Sequence, residues 1–138
     1  MAIEIKKAEY FNIVIDSNAE EAYNLLSRFA TLEISLLAFK AIPADQSRTR
    51  FSLVPDNSSK MIDGAKKAGL FIDGPHNAII IKSNNDDPGE CAGIFKKLSQ
   101  VDINVKESSG IADIMDSYGV ILYLENEDCE KAMAALKA

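Results

Sequence analysis

A chain of 138 residues, 47% hydrophobic and 26% charged, is long enough for one ordinary domain or two minimal ones and too apolar to be disordered. Its 15 Lys and Arg against 21 Asp and Glu leave a net charge of −6, without the basic stripe that phosphate neutralisation requires. No apolar run nears the roughly 20 residues that span a bilayer, and the opening MAIEIKKAEYF lacks a signal-peptide core. These features predict a cytoplasmic globular protein with no nucleic-acid and no membrane partner.

In chain order, Tyr10 to Ile15 reads as a strand, and the next apolar residues, Ala22, Leu25, Leu26 and Phe29, make the i, i+3, i+4, i+7 stripe of a core-facing helix. A second strand is predicted near Ile34 to Ile42, then a polar turn from Asp45 to Thr49 and a hairpin partner from Phe51 to Val54. A helix from about Ser59 to Ala68 stops at Gly69, a natural C-cap, and Leu70 to Ile72 reads as a short strand. His76 follows in a Gly-Pro-His-Asn connection, where a linker role is expected.

The order then repeats. A strand from Ala78 to Ile81 feeds a second stripe, Cys91, Ile94, Phe95 and Leu98, 69 residues after the first. A strand follows near Ile103 to Ile111, then a turn from Asp113 to Ser117 and a hairpin strand from Val120 to Leu124. The last helix, from about Asp128 to the end, slips in register relative to its counterpart. At the same offset Ile34 maps to Ile103, Ile42 to Ile111 and Asn57 to Asn126. The fold expected is α+β: two ferredoxin-like βαββαβ units, over residues 1–74 and 75–138, with antiparallel sheets and helices on one face. The second copy lacks a last strand, and the extension from Ile3 to Lys7 is a candidate to fill that edge. Cys91, on the apolar stripe, is expected to be a buried small hydrophobe. Cys91 and Cys129 show no metal-ligand spacing, and neither a metal nor a cofactor is expected.

The copies differ before their first helix. The first reads Asp16-Ser17-Asn18-Ala19-Glu20-Glu21 and the second Asn84-Asn85-Asp86-Asp87-Pro88-Gly89-Glu90. Measured from the last apolar strand residue to the first stripe residue, the second loop is longer by three. Asn18 with Glu21, and Asp87 with Glu90, each pair a cap residue with an acid three positions on, a variant capping box. Capping alone accounts for Asp87 and Glu90, and Pro88 is a good helix starter. Gly89 has no such account: in a first turn it costs about 0.5–1 kcal/mol against alanine, while it opens the backbone amides to an anion.

Asp86-Asp87-Pro88-Gly89 resembles the D-x-P-G turn that opens the first helix of ACT domains. Val101-Asp102-Ile103-Asn104-Val105 is similar to that family's G-I-N-I start of the second strand, with Asp102 where glycine is usual. The resemblance covers both repeats, in the tandem stand-alone form. It implies a non-catalytic regulatory module that binds a small metabolite, an amino acid above all, between ACT-like domains, and that forms a homodimer through sheet or helix faces. Carried over residue by residue, Asp86, Asp87, Pro88, Gly89, Glu90 and Asn104 line that site. Asp86 would pair with an α-ammonium group, the Gly89 and Glu90 amides would receive an α-carboxylate, and Asn104 would bridge to either. Asn104 reads equally as a polar residue at a strand start. The first copy lacks Pro-Gly and has Ser35 in place of the asparagine, which makes it the degenerate partner.

Two other readings stay open. An enzyme would need a nucleophile paired with a base, a metal cluster or an arginine in a phosphate loop, and none stands out. A pure assembly module would pair through an exposed sheet face or edge without a ligand. RNA binding by the sheet would require exposed aromatics, and the strand Val120 to Leu124 offers one tyrosine.

Overall fold

The structure is a computed structural model, and it describes residues 3–84, 89–112 and 117–138. Among these residues four α-helices and six strands follow the predicted order, apart from its last strand, twice: β1 (Ile3–Asp16), α1 (Ala19–Thr31), β2 (Leu36–Pro43), β3 (Arg48–Pro55) and α2 (Ser58–Lys67), then β4 (Asp73–Ser83), α3 (Glu90–Gln100), β5 (Glu107–Ala112), β6 (Tyr118–Tyr123) and α4 (Cys129–Lys137). Two compact units result, one of residues 9–75 and one of residues 1–8 with 76–138.

In the unit of residues 9–75, β3 pairs antiparallel with both β1 and β2. Alternation puts Phe11 and Ile13 of β1, with Phe51 and Leu53 of β3, on one face. Leu25 and Phe29 of α1 and Met61 of α2 close over that face to form the core. Burying each such side chain contributes about 1.5–3 kcal/mol. On the opposite face Ser52 donates a 2.6 Å hydrogen bond to Asn12 Oδ1, its cross-strand partner. The polar turn between β2 and β3 is held by Asp45, whose carboxylate accepts from the Ser47 and Arg48 amides, both at 2.9 Å.

The second unit repeats this plan. β6 pairs antiparallel with β4 and β5, and Ile79, Ile81 and Leu122 meet Ile94 and Leu98 of α3 and Cys129, Met133 and Leu136 of α4. The N-terminal extension joins this unit, as its open edge suggested: Ile5 packs on the core and Lys7 forms an ion pair with Glu130. The slip of the last helix is one residue. The buried stripe Cys129, Ala132, Met133 follows Met61, Gly64, Ala65 by 68 positions.

The helix ends carry the duplication more sharply than the strands do. Gly69, at φ +69°, ends α2 with the Leu70 amide donating to Ala65 O and the Gly69 amide to Lys66 O, a Schellman cap. The same pair of bonds ends α1 around Glu33 and α3 around Asp102, both at φ +58° and 69 residues apart. Asp102 therefore occupies a left-handed position, which is the physical reason glycine suits it. The hydrophobic residue after each cap, Ile34 or Ile103, is buried.

Four local expectations are corrected. Cys91 is exposed, not buried, because α3 begins only one residue before it and its buried stripe is Ile94 and Leu98; Phe95 is likewise 44% exposed. His76 lies inside β4 rather than in a linker, since the strand starts at Asp73 despite its Gly-Pro pair. Leu70 to Ile72 is not a strand, although Leu70 and Ile72 pack partly on the core. Counted between register-equivalent positions, the second copy carries one extra residue before α3, where the count from the last apolar strand residue gave three. Leu53 and Leu122, 69 apart, face Phe11 and Ile79, which are 68 apart, while the helices that follow are offset by 69.

Candidate functional site

The two first helices start in different ways. Asn18 is extended and its Oδ1 accepts from the Glu21 amide at 2.8 Å, which is the predicted cap. The equivalent start of α3 has Gly89 at its boundary, already at helical angles and with no side chain to cap with. Of the sequence-predicted site residues, Asp86, Asp87 and Pro88 lie outside the described residues, as does most of the turn predicted from Asp113 to Ser117. Gly89 and Glu90 stand together at the head of α3. Asn104 is exposed in the stretch between α3 and β5, rather than at a strand start. The eleven residues of α3 rise about 16 Å, so Asn104 lies at the opposite end of that helix from Glu90 within this unit.

The head of α3 holds more than its backbone. Both carboxylate oxygens of Glu90 are buried and have no hydrogen-bond partner among the described residues; the same is true of the Tyr118 hydroxyl. Tyr118 opens β6 and faces Ser83, the last residue of β4, which is 2% exposed. Burial, and then the neighbouring Glu90 carboxylate, push the Tyr118 phenol up to about 12. The carboxylate is therefore near enough to hold the proton on the phenol, although no bond of good geometry joins them. Among the described residues, the groups that shift Tyr118 are Glu90, Cys91 and Ser83, none of them a cation.

Sequence reading named Glu90 for its amide and missed Tyr118 and Ser83. They meet the head of α3 only through strand pairing, and the available signal was a serine at the end of the apolar run Ala78 to Ile81, opposite a tyrosine. In the first copy the positions equivalent to Ser83, Glu90 and Tyr118 are Ile15, Glu21 and Thr49. Glu21 is exposed, and Thr49 Oγ1 lies 2.6 Å from Ser17 Oγ, a satisfied pair. The buried acid and phenol are thus peculiar to the second copy.

Elsewhere the surface offers less. A hollow at the C-terminal ends of α1 and α2 is bordered by Asn24, Arg28 and Lys67, but cations in a last turn already complement the helix dipoles. Among the described residues no group of three His, Cys, Asp or Glu is placed to hold a metal ion, and no helix is long and apolar enough to cross a membrane. Cys129 is buried, which pushes its thiol up and keeps it protonated.

Two successive units, each running strand, helix, strand, strand, helix, have the order of a tandem ACT-like fold, the architecture expected from the duplicated pattern. The chain is similar in structure to a protein from Bacteroides thetaiotaomicron, with a TM-score of 0.81 at 16% identity, covering 96% of this chain and 88% of that one. It is similar to the alpha and beta subunits of aspartokinase, with a TM-score of 0.66 at 18% identity over 99% and 95% of the two chains. The regulatory subunit of aspartate kinase from Thermus thermophilus, in its ligand-free form, gives 0.64 at 14% identity over 98% and 94%. No family model matches the chain, and no curated protein matches it. At such identities the likeness is one of fold.

Proposed function

We propose that the chain is a non-catalytic regulatory module that binds a small metabolite, an amino acid, at the head of α3. The observation that carries this reading is the contrast between the two helix starts. Folding is served at α1 by an ordinary asparagine cap, whereas α3 opens on a glycine beside a buried carboxylate with no partner among the described residues. Asp86, Asp87, Pro88, Gly89 and Glu90 are the binding residues of the proposal. Asn104, exposed at the far end of α3 from Glu90, stands apart from these residues within the unit. The similarity to aspartate kinase regulatory subunits supports a regulatory role.

Ligand that binds only the folded state raises its stability by mass action. A thermal-shift panel of the twenty amino acids is expected to give at least one saturable rise, and Gly89→Val is expected to abolish it. No rise with any of them sinks the reading. Assembly without a ligand is the second reading, favoured by the exposed apolar side chains Phe71, Ile111 and Tyr23. Light scattering that finds an obligate homodimer, together with no thermal response, would favour it.

A further inference from the structure

We propose that Glu90 and Tyr118 together form the receptor for a ligand's ammonium group, so that the ligand class is a primary amine and Glu90 acts through its side chain as well as its amide. The inference rests on the binding site proposed above and names the group that the site selects.

A carboxylate withdrawn from water needs compensation, since an unpaired buried charge costs more than a buried neutral group of the same size. Both oxygens of Glu90 are buried, and neither meets a donor among the described residues. Ionised carboxylate oxygens only accept hydrogen bonds, and a phenol oxygen can accept while its proton is given away. A primary ammonium group is the complement: three donors, no acceptor and a positive charge. One N–H can reach Glu90 and another the Tyr118 oxygen, while the Tyr118 proton is donated to Glu90. A phosphate or carboxylate in place of the ammonium group would be repelled by the Glu90 side chain, which sets the ammonium end of an amino acid, not its anionic end, against that side chain.

Folding does not account for the arrangement. The first copy builds the same strands and the same helix with isoleucine, an exposed glutamate and a threonine at these positions. There the hydroxyl of Thr49 is paired with Ser17. The polar triad of the second copy is the departure, and it sits beside Gly89, which has no counterpart glycine in the first copy.

The experiment uses the full chain and the twenty L-amino acids, followed by calorimetric titration of those that shift the melting temperature and of their 2-hydroxy-acid analogues. The expected result is binding of the amino acid, no measurable binding of the analogue, and a roughly ten- to hundredfold loss of affinity in Glu90→Gln, the range set by losing one charge-assisted hydrogen bond. Tyr118→Phe should lose less. Unliganded Glu90→Gln should melt no lower than the parent, because the change keeps the size of the side chain and breaks no hydrogen bond among the described residues, and this shows that lost binding is not lost folding. Equal affinity for the hydroxy acid, or amino-acid affinity unchanged in Glu90→Gln, overturns the inference and leaves the site standing. Failure of all twenty to bind the parent overturns the site reading and this one with it.

Discussion

The heads of α1 and α3 are the same element built twice, and they differ in what their polar groups are for. At α1 two polar side chains serve the fold: Asn18 caps the helix and Ser17 satisfies Thr49. At α3 a glycine replaces the cap, and an acid and a phenol are buried beside it without good hydrogen bonds. Where two copies share a fold, features both keep belong to folding, and features only one keeps are candidates for function. The core stripes belong to the first class and the Glu90 cluster to the second.

The largest effects test the shared class. Phe29 and Leu98 are equivalent stripe residues, each 1% exposed. Phe29→Ala should cost about 3–5 kcal/mol and Leu98→Ala about 2–5 kcal/mol in urea unfolding, from lost burial plus the cavity left behind. The two cysteines report which unit responds. Exposed Cys91 should react with a thiol reagent at once in every variant. Cys129, in the same core as Leu98, should react faster in Leu98→Ala than in Phe29→Ala. Equal protection of Cys129 in both would break the division into two cores.

Next in size is the alkaline titration of Tyr118, which has no counterpart at α1. Its folded pKa of about 12 stands above the ordinary 10, so the folded chain holds a proton that the unfolded chain releases. The resulting stability is fully present below pH 10 and is lost as pH rises from 10 towards 12. Phenolate absorbance of the parent minus Tyr118→Phe should show a single step near the upper value. A step near 10 would mean that the phenol is not shielded by burial and Glu90.

The two helix starts should also respond to alanine with opposite signs. Asn18→Ala removes a cap and should lower stability by about 1 kcal/mol. Gly89 already has helical angles, so Gly89→Ala should raise stability by up to about 1 kcal/mol, through the smaller entropy of the unfolded chain. A loss of stability in Gly89→Ala would return the glycine to folding.

Much of this comparison was legible in the residues alone. Periodicity found the helices and hairpins, and the capping pattern found Asn18. Most of the errors share one cause: a linear reading measures from apolar letters, while a sheet measures from register. Counting from Ile15 and Ile81 made the second loop three residues longer, although Ser83 is still a strand residue facing Tyr118. The Gly-Pro pair before His76 looked like a linker because the pairing that continues β4 through it involves residues far away in the chain. Tyr118 stayed hidden for the same reason, being 28 positions from Glu90 and adjacent to it only through the hairpin. Cys91 was misread because a stripe gives the face of a helix and not where the core beneath it ends.

The smallest predicted effects return to a feature both copies keep. Glu33 and Asp102 hold left-handed backbone angles at equivalent Schellman caps, and neither is a glycine. A side chain there costs roughly 1–2 kcal/mol, against about 0.4–1 kcal/mol of unfolded-state entropy that glycine would reintroduce. Glycine should therefore win at both sites, by about 0.5 kcal/mol. Aspartate tolerates the left-handed region better than glutamate does, because its short side chain can bond locally. Glu33→Gly should accordingly stabilise more than Asp102→Gly in urea titrations. If the order reversed, Asp102 would be paying a strain that its counterpart does not, and the far end of α3 would join its head as a place where the second copy departs from what folding asks.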